Sequence, residues 1–249
     1  MRIIISPAKR MGADADSFSP EGLPAFLPRT RLLLEALRAM SPETLQKLWR
    51  CNDQLARLNV DRLAHMELER GLAPAVMAYE GIQYQYMAPG VMETEQLDWL
   101  REHLRILSGF YGLLRPFDGV TPYRLELQAK LAVDGARDLY AFWGDSLARA
   151  LAAETDCVVD LASKEYSKAV EPWLPEGCRF ITCSFVEDKD GKLVEKGTAC
   201  KMARGQLVRW AAEHGAETAE ALRDFSDLGY AFSPERSEET RYVFIKGGR

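Results

Sequence analysis

The segment that decides the fold reads ILSGFYGLLRPFDGVTPYRLELQAKL and occupies residues 106–131. It opens on the apolar pair Ile106-Leu107, which predicts a buried strand that enters a turn at Ser108-Gly109. Three glycines and two prolines then follow between positions 109 and 122, and each frees or fixes a backbone angle. Apolar and aromatic residues alternate with them. The segment is therefore predicted to be a packed, shaped loop, of the kind that often carries function.

The same segment contains several charged residues, namely Arg115, Asp118, Arg124, Glu126 and Lys130. Charges that emerge from an apolar segment need partners, so a charged cleft is one outcome. The other outcome is a well-packed crossover in which Arg115 and Asp118 pair with each other. These residues alone leave both outcomes open.

Composition places limits on the kind of partner this protein binds. The chain has 249 residues, a formal charge of −5 and a hydrophobic share of 47%, as in an ordinary globular protein. No repeat or linker divides it, so residues 1–249 are expected to form a single domain. The acidic balance disfavours a surface that coats nucleic acid but leaves room for a local basic patch. We also expect a cytoplasmic protein without a membrane segment, since no apolar run approaches the roughly 20 residues of a span.

The cysteines and histidines give no sign of a disulfide or a metal site. None of the five cysteines lies in a CxxC pattern, and the three histidines are remote from them. Scattered thiols in an odd number are typical of a reducing compartment. We therefore expect no structural metal and no cofactor. The residues concerned are Cys51, Cys157, Cys178, Cys183, Cys200, His65, His103 and His214.

Two short apolar segments, Arg2–Ile5 and Cys157–Leu161, are predicted to be buried strands with polar residues at their exits. Ligands of α/β sheets bind in crevices beyond the carboxyl ends of strands. The residues placed there are Ser6, Lys9, Ser163, Glu165 and Tyr166. The alternative for each exit is a solvated surface turn.

The remaining pattern predicts helices around this sheet. Ser41 is a good N-cap before Pro42 and opens a helix through Trp49, and Asn59 is expected to cap a second helix, over 59–70. Together they form a helical hairpin over about 42–70. Further helices are predicted over 31–40, 93–103 and 138–153, a strand plus turn over 75–87, a β-hairpin from 179–187 and 192–196, a closing strand over 242–246, and an irregular loop over 12–28.

A helix predicted over 201–214 has an unusual start. It ends well, at Gly215, but Lys201 and Arg204 place two cations in its first turn, where the helix dipole disfavours them. The i, i+3 spacing puts both on one face, and Gly205 allows another group to approach closely. Cations beside free amides at a helix N-terminus bind anions, so an anion site is predicted there. The alternative is a pair of structural ion-pair partners.

Several motifs occur along the chain in a fixed order: ISPAK at 5–9, LSGFYGLLRP at 107–116, PYRLE at 122–126, FWG at 142–144, LAS at 161–163, EY at 165–166 and ARG at 203–205. Together they resemble the YaaA-like family of bacterial peroxide-stress proteins over nearly the whole chain. The sequence departs from the family pattern in having Asp160 where asparagine is expected, and this departure is expected to add negative charge near the cleft. A second departure is Gln128-Ala129, where smaller and more polar residues are expected.

The resemblance implies a mixed α/β (α+β) fold, a single compact domain with a mixed sheet and surrounding helices. It also implies a cytoplasmic stress-response role that limits iron-driven oxidative damage. It further implies DNA binding through a basic cleft and a helix-hairpin-helix-like element, which we map onto the predicted hairpin at about 42–70.

Two functions of different class remain. In the first, the protein binds DNA selectively by its structure and not by its sequence. The phosphate contacts would come from Lys9, Arg115, Arg124, Lys130, Lys201 and Arg204. In the second, these cations bind a small phosphate- or carboxylate-bearing substrate of an enzyme, supported by Ser6, Asp118, Tyr123, Glu126, Ser163, Glu165 and Tyr166. No nucleotide-binding glycine loop or catalytic triad specifies a reaction. We expect Lys9, Arg115, Arg124, Lys201 and Arg204 to line one concavity.

Overall fold

The computed structural model describes residues 1–12, 18–189 and 191–247. Its strands are β1 (Arg2–Ile5), β2 (Arg10–Met11), β3 (Ala73–Pro74), β4 (Tyr79–Glu80), β5 (Leu104–Ser108), β6 (Gly112–Leu114), β7 (Gly119–Val120), β8 (Cys157–Leu161), β9 (Arg179–Lys189), β10 (Lys192–Val194), β11 (Tyr230–Phe232) and β12 (Arg241–Lys246). Its α-helices are α1 (Leu27–Arg38), α2 (Pro42–Trp49), α3 (Asp53–His65), α4 (Ala75–Ala78), α5 (Ile82–Met87), α6 (Thr94–His103), α7 (Leu139–Trp143), α8 (Ser146–Ala152), α9 (Lys164–Ser167) and α10 (Gly197–Glu213).

One mixed sheet of eight strands organises the molecule, in the order β11-β12-β9-β8-β1-β5-β6, with β10 paired to β9. The five central strands from β12 to β5 run parallel, whereas β6, β10 and β11 are antiparallel to their neighbours. Ile3, Ile4 and Ile5 in β1 are fully buried because helices cover both faces of a parallel sheet. The predicted mixed α/β fold in one compact domain is confirmed.

The segment at 106–131 forms the folded-back edge of this sheet. The Ser108 hydroxyl accepts hydrogen bonds from the backbone N–H groups of Phe110 (3.2 Å) and Tyr111 (2.9 Å). This turn reverses the chain into β6, so that Leu114 pairs with Ile106 in antiparallel register. The predicted strand and turn are confirmed.

The helical hairpin is confirmed in its first half and corrected in its second. Ser41 caps α2, since its hydroxyl accepts from the N–H of Thr44 at 3.3 Å. Asn59 does not begin the second helix. That helix, α3, begins at Asp53 under the cap of Asn52, whose side chain accepts from the N–H of Leu55 at 2.9 Å. Asn59 lies buried inside α3, where its side chain donates to the Leu55 carbonyl. Asn52 and Asn59 are both residues that cap helices well, and the helix begins at the earlier of the two.

Two further predictions of secondary structure were wrong. Residues 75–87 are not strand plus turn: they form α4, the two-residue strand β4 and α5, so that Tyr84 and Met87 share one buried helical face. Residues 138–153 are not one helix, because Gly144 with φ 52° and ψ −132° separates α7 from α8. Only glycine adopts that backbone conformation at low cost.

The remaining predictions are largely confirmed. The strand over 242–246 exists, although β12 lies inside the sheet and β11 forms the edge. The β-hairpin of β9 and β10 is present, and α6 and β8 lie where expected. The first helix begins at Leu27, earlier than predicted, and part of the loop over 12–28 falls outside the described residues. No helix in the described part of the chain is long and apolar enough to cross a membrane.

Candidate functional site

A pocket of about 560 Å³ lies beyond the carboxyl ends of β1 and β8. Adjacent parallel strands open onto the same edge of a sheet, so the residues that follow each strand meet there. Ten of the residues predicted from the sequence line this pocket: Ser6, Lys9, Tyr123, Arg124, Glu126, Ser163, Glu165, Tyr166, Lys201 and Arg204. They come from four separate segments of the chain, around residues 6–9, 123–126, 163–166 and 201–204.

Hydrogen bonds tie the two strand exits together at the pocket floor. The Ser6 hydroxyl accepts from the N–H of Ser163 at 2.8 Å and donates to the Ser163 hydroxyl oxygen at 3.3 Å. The phenol of Tyr84 on α5 donates to the Ser6 carbonyl at 2.9 Å. The two serine hydroxyls are thus bonded to each other rather than to a base, an arrangement that positions backbone and does not activate a nucleophile.

Lys9, Arg124 and Glu126 form a charged group on one wall. The Lys9 ammonium lies 2.9 Å from a Glu126 carboxylate oxygen, which is also 3.9 Å from Arg124. Arg124 is mostly buried, and its Nε and Nη2 atoms both donate to the Trp49 carbonyl at 3.4 Å. Since Trp49 ends α2, Arg124 links the pocket to the helical hairpin.

Lys201 and Arg204 reach the pocket from inside α10, not from its first turn. The helix begins at Gly197, one turn before Lys201, so the predicted anion site at a helix N-terminus is wrong. The predicted start at residue 201 was one turn too late, because the small residues Gly197, Thr198 and Ala199 already belong to the helix. Among the described residues, Lys201 has no carboxylate within 4.0 Å, and the nearest to Arg204 belongs to Glu195 at 3.8 Å.

Gly205 allows α10 to pack directly against α5, as the sequence predicted. A Cβ atom at position 205 would lie 2.0 Å from the Gln83 carbonyl oxygen. The contact brings Arg204 and Gln83 together in the pocket wall. Two of their donor atoms, Arg204 Nε and Gln83 Nε2, are buried and have no hydrogen-bond partner among the described residues.

Sequence reasoning missed Gln83, because residues 75–87 were predicted to form a strand and turn. The signal was available after Gly81, where Tyr84 and Met87 are apolar residues with the i, i+3 spacing of one helical face. Gln83 is 7% exposed. Buried amides normally find partners for their N–H groups, so an unpartnered one on a pocket-lining residue leaves a donor for a water or a ligand.

Carboxylates and phenols complete the lining. Burial raises the pKa of Glu165, although the backbone N–H of Gln128 donates to its carboxylate at 3.2 Å. Burial also raises the pKa values of Tyr84, Tyr123 and Tyr166, so their phenols stay protonated at neutral pH and serve as hydrogen-bond donors.

Asp160, the departure from the expected asparagine, lies behind the pocket and does not add charge to its surface. It is 4% exposed, and burial raises its pKa to about 6. Its carboxylate accepts from the N–H of Ala162 at 2.8 Å and from the Ser167 hydroxyl at 2.7 Å. It thus holds the turn that follows β8.

Arg115 and Asp118 do not join the pocket, contrary to the predicted convergence. β6 runs antiparallel to β5, so the chain after Leu114 returns to the amino ends of the parallel strands, on the opposite edge of the sheet. There Arg115 and Asp118 line a separate cavity of about 470 Å³ that also contains Arg105. Asp118 accepts the backbone N–H of Arg115 at 2.8 Å, and burial raises its pKa to about 6. Lys130 is exposed and lines neither cavity.

Residues 1–12, 18–189 and 191–247 contain no cluster with metal-binding geometry. No group of three or more His, Cys, Asp or Glu side chains there is arranged to hold a metal ion. The five cysteines are free thiols. Burial raises the pKa values of Cys157, Cys178, Cys183 and Cys200, so these four are poor thiolate nucleophiles.

The fold and the pocket define an α/β protein with a basic cavity at the carboxyl ends of two parallel strands. A family model described as peroxide stress protein YaaA matches residues 1–236, so the chain belongs to that family. The chain is 50% identical over 247 residues to a UPF0246 protein of Lachnoclostridium phytofermentans, covering 99% of this chain and 97% of that protein. A UPF0246 protein of Agathobacter rectalis is 48% identical over 244 residues, 98% of each chain. One of Desulfitobacterium hafniense is 46% identical over 246 residues, covering 99% of this chain and 98% of that protein.

Proposed function

We propose that this protein acts in the response to peroxide by binding a small anionic, phosphate- or carboxylate-bearing ligand in the pocket at the carboxyl ends of β1 and β8. The observation that carries the proposal is the convergence of Lys9, Arg124, Lys201 and Arg204 on one cavity. The lining holds five basic residues against three carboxylates, although the whole chain has a net charge of −5. A cavity of about 560 Å³ suits a small organic anion rather than a DNA duplex.

The enzymatic form of this proposal has one candidate acid–base group. Glu165 lies in the pocket, and its raised pKa brings it closer to neutral pH, where a carboxyl group transfers protons most effectively. The reaction stays unspecified, because the lining residues in the described part of the chain contain neither histidine nor cysteine.

Thermal unfolding with increasing inorganic phosphate tests the proposal. A ligand that binds only the native state raises the unfolding temperature in a concentration-dependent way. We expect stabilisation of the wild type and loss of most of it in a Lys201→Gln, Arg204→Gln double variant. Lys130→Gln, which removes an exposed cation outside the pocket, is the matched control and should behave as the wild type.

The comparison between variants also corrects for a nonspecific effect. Phosphate stabilises many proteins by exclusion from their surface, and this contribution is the same for all three chains. Equal stabilisation of the double variant and the wild type would contradict an anion site at Lys201 and Arg204.

DNA binding is a second candidate, favoured by the contact between Arg124 and Trp49. This contact joins the basic pocket to the hairpin of α2 and α3, where Lys47, Arg50 and Arg57 are exposed. In this candidate the protein works in the cytoplasm. It holds duplex phosphates without reading base sequence, so that bound DNA is shielded from radicals formed by iron and peroxide.

The salt dependence of duplex binding tests this second candidate. Each neutralised phosphate contributes about −0.9 to the log–log slope of affinity against salt, so a slope of about −3 or steeper is expected. Arg50→Gln and Arg57→Gln should each flatten the slope by roughly one unit. Lys192→Gln, on the exposed part of β10, is the control. A flat dependence for the wild type would contradict DNA binding and leave the small-anion proposal untouched.

A further inference from the structure

Two unpartnered donors belong to side chains of residues that line the pocket. Arg204 Nε and Gln83 Nε2 are buried and have no hydrogen-bond partner among the described residues. They belong to α10 and α5, which the missing side chain of Gly205 allows to touch. An unsatisfied buried N–H group lowers stability, so two of them in one pocket wall indicate acceptor atoms that arrive with a ligand. With Lys201 beside them, these donors suit an oxyanion such as a phosphate group.

The carboxylates elsewhere in the pocket require a second kind of group on the same ligand. Glu126 and Glu165 line the cavity as well, and Lys9 neutralises only Glu126, at 2.9 Å. Carboxylate oxygens repel a second anionic group and accept hydrogen bonds from N–H or O–H groups. A ligand that fills the pocket therefore has one anionic end and, elsewhere, polar hydrogens.

The size of the cavity and its apolar lining define the body of the ligand. Inorganic phosphate would leave most of a 560 Å³ cavity unfilled, and this volume falls in the range of pockets for organic ligands. Ile82, Leu125 and the faces of Tyr84 and Tyr166 supply apolar surface suited to a ring.

We infer that the pocket takes a nucleoside monophosphate unit, with its phosphate on Lys201, Arg204 and Gln83 and its sugar or base hydrogens towards Glu126 and Glu165. The inference rests on the proposed anion-binding function and specifies its ligand. The unit is either a free nucleotide or the 5′-phosphorylated end of a strand, since both present the same groups.

Titration calorimetry on the full chain tests the inference with four kinds of probe. The probes are the four nucleoside 5′-monophosphates, the corresponding nucleosides, inorganic phosphate, and a 5′-phosphorylated oligonucleotide. We expect at least one monophosphate to bind at least tenfold more tightly than inorganic phosphate and than its own nucleoside. An oligonucleotide that binds as tightly as the monophosphate identifies a strand end as the ligand, whereas a much weaker one identifies a free nucleotide.

Three variants separate the contributions of the pocket walls. Gln83→Leu, which keeps the side-chain volume, and Arg204→Lys, which keeps the charge but lacks Nε, should each weaken monophosphate binding at least tenfold. Glu165→Gln should weaken monophosphate binding and leave phosphate binding unchanged. Circular dichroism melts confirm that each variant is folded.

The outcomes distinguish this inference from the proposed function. If inorganic phosphate binds through Lys201 and Arg204 but no monophosphate binds more tightly, the inference is overturned and the anion site stands. If no probe binds, both are overturned. Unchanged monophosphate affinity in folded Gln83→Leu and Arg204→Lys proteins would also overturn the inference, because it would place the phosphate elsewhere.

Discussion

At the scale of single residues, Asp160 shows how burial changes the meaning of a charge. The sequence placed this carboxylate near the cleft as added negative charge, whereas it lies buried behind the pocket and holds the turn after β8. Its pKa, raised by burial to about 6 from 3.8, means that the folded state binds its proton more tightly than the unfolded state does. The stability that follows is fully present below about pH 4 and is lost as the pH rises through 6.

Asp160→Asn should therefore stabilise the protein at pH 7.5, by on the order of 2 kcal/mol. The asparagine oxygen still accepts from the N–H of Ala162 and its amide donates to the Ser167 hydroxyl, while no charge is buried. Urea unfolding of both chains at pH 4.5 and 7.5 measures the effect. Asp118, whose pKa is also raised to about 6, titrates equally in both chains and cancels in the comparison. The same difference in unfolding free energy at both pH values would contradict a buried ionising Asp160.

The positions of two residues, Arg115 and Gln83, could not be predicted from the sequence. The position of Arg115 depends on the direction of β6, which the turn at 108–111 reverses, so a motif continuous in sequence serves two opposite edges of the sheet. Gln83 was not predicted to line the pocket, because the aromatic residues around it are as typical of a strand as of a helix. Ser6, Lys9, Ser163 and Glu165 were predicted correctly as pocket lining, since each follows the end of a parallel strand.

At the scale of elements, the contact between α10 and α5 builds the wall with the unpartnered donors. The Gly205 position is predictable from sequence only as a place of close approach, because the partner helix comes from a segment about 120 residues earlier. Capping signals predicted one helix start correctly and one wrongly, since Asn52 rather than Asn59 caps α3. Ser41 before Pro42 defined α2, whereas the start of α10, whose N-cap Lys196 makes no side-chain cap hydrogen bond, was misplaced.

Gly205→Ala should destabilise the protein by about 3 kcal/mol or more, because the added methyl group meets backbone and cannot be relieved by a rotamer change. Gly197→Ala, in the first turn of the same helix, is the matched control. It meets no atom within 4 Å and should stabilise α10 by up to about 1 kcal/mol. Thermal and urea unfolding of the two variants measure the difference. Similar stabilities would show that α10 does not press against α5.

At the scale of the whole molecule, charge is unevenly distributed. An acidic chain gathers basic residues at one edge of its parallel sheet, although the pairing of Lys9 with Glu126 reduces the net positive charge there. The opposite edge holds Arg105 and Arg115 in a cavity where Arg105 is bonded to Glu154. A basic pocket of about 560 Å³ favours a discrete ligand over a long nucleic-acid track. The hairpin of α2 and α3 is the surface on which a longer strand would lie.

A crystal structure of the protein grown with phosphate tests the pocket most directly. We predict that phosphate oxygens lie within hydrogen-bond distance of Arg204 Nε, Gln83 Nε2 and the Lys201 ammonium. Phosphate ordered only beside Arg105 and Arg115 or along the hairpin, with the strand-end pocket holding water alone, would contradict it.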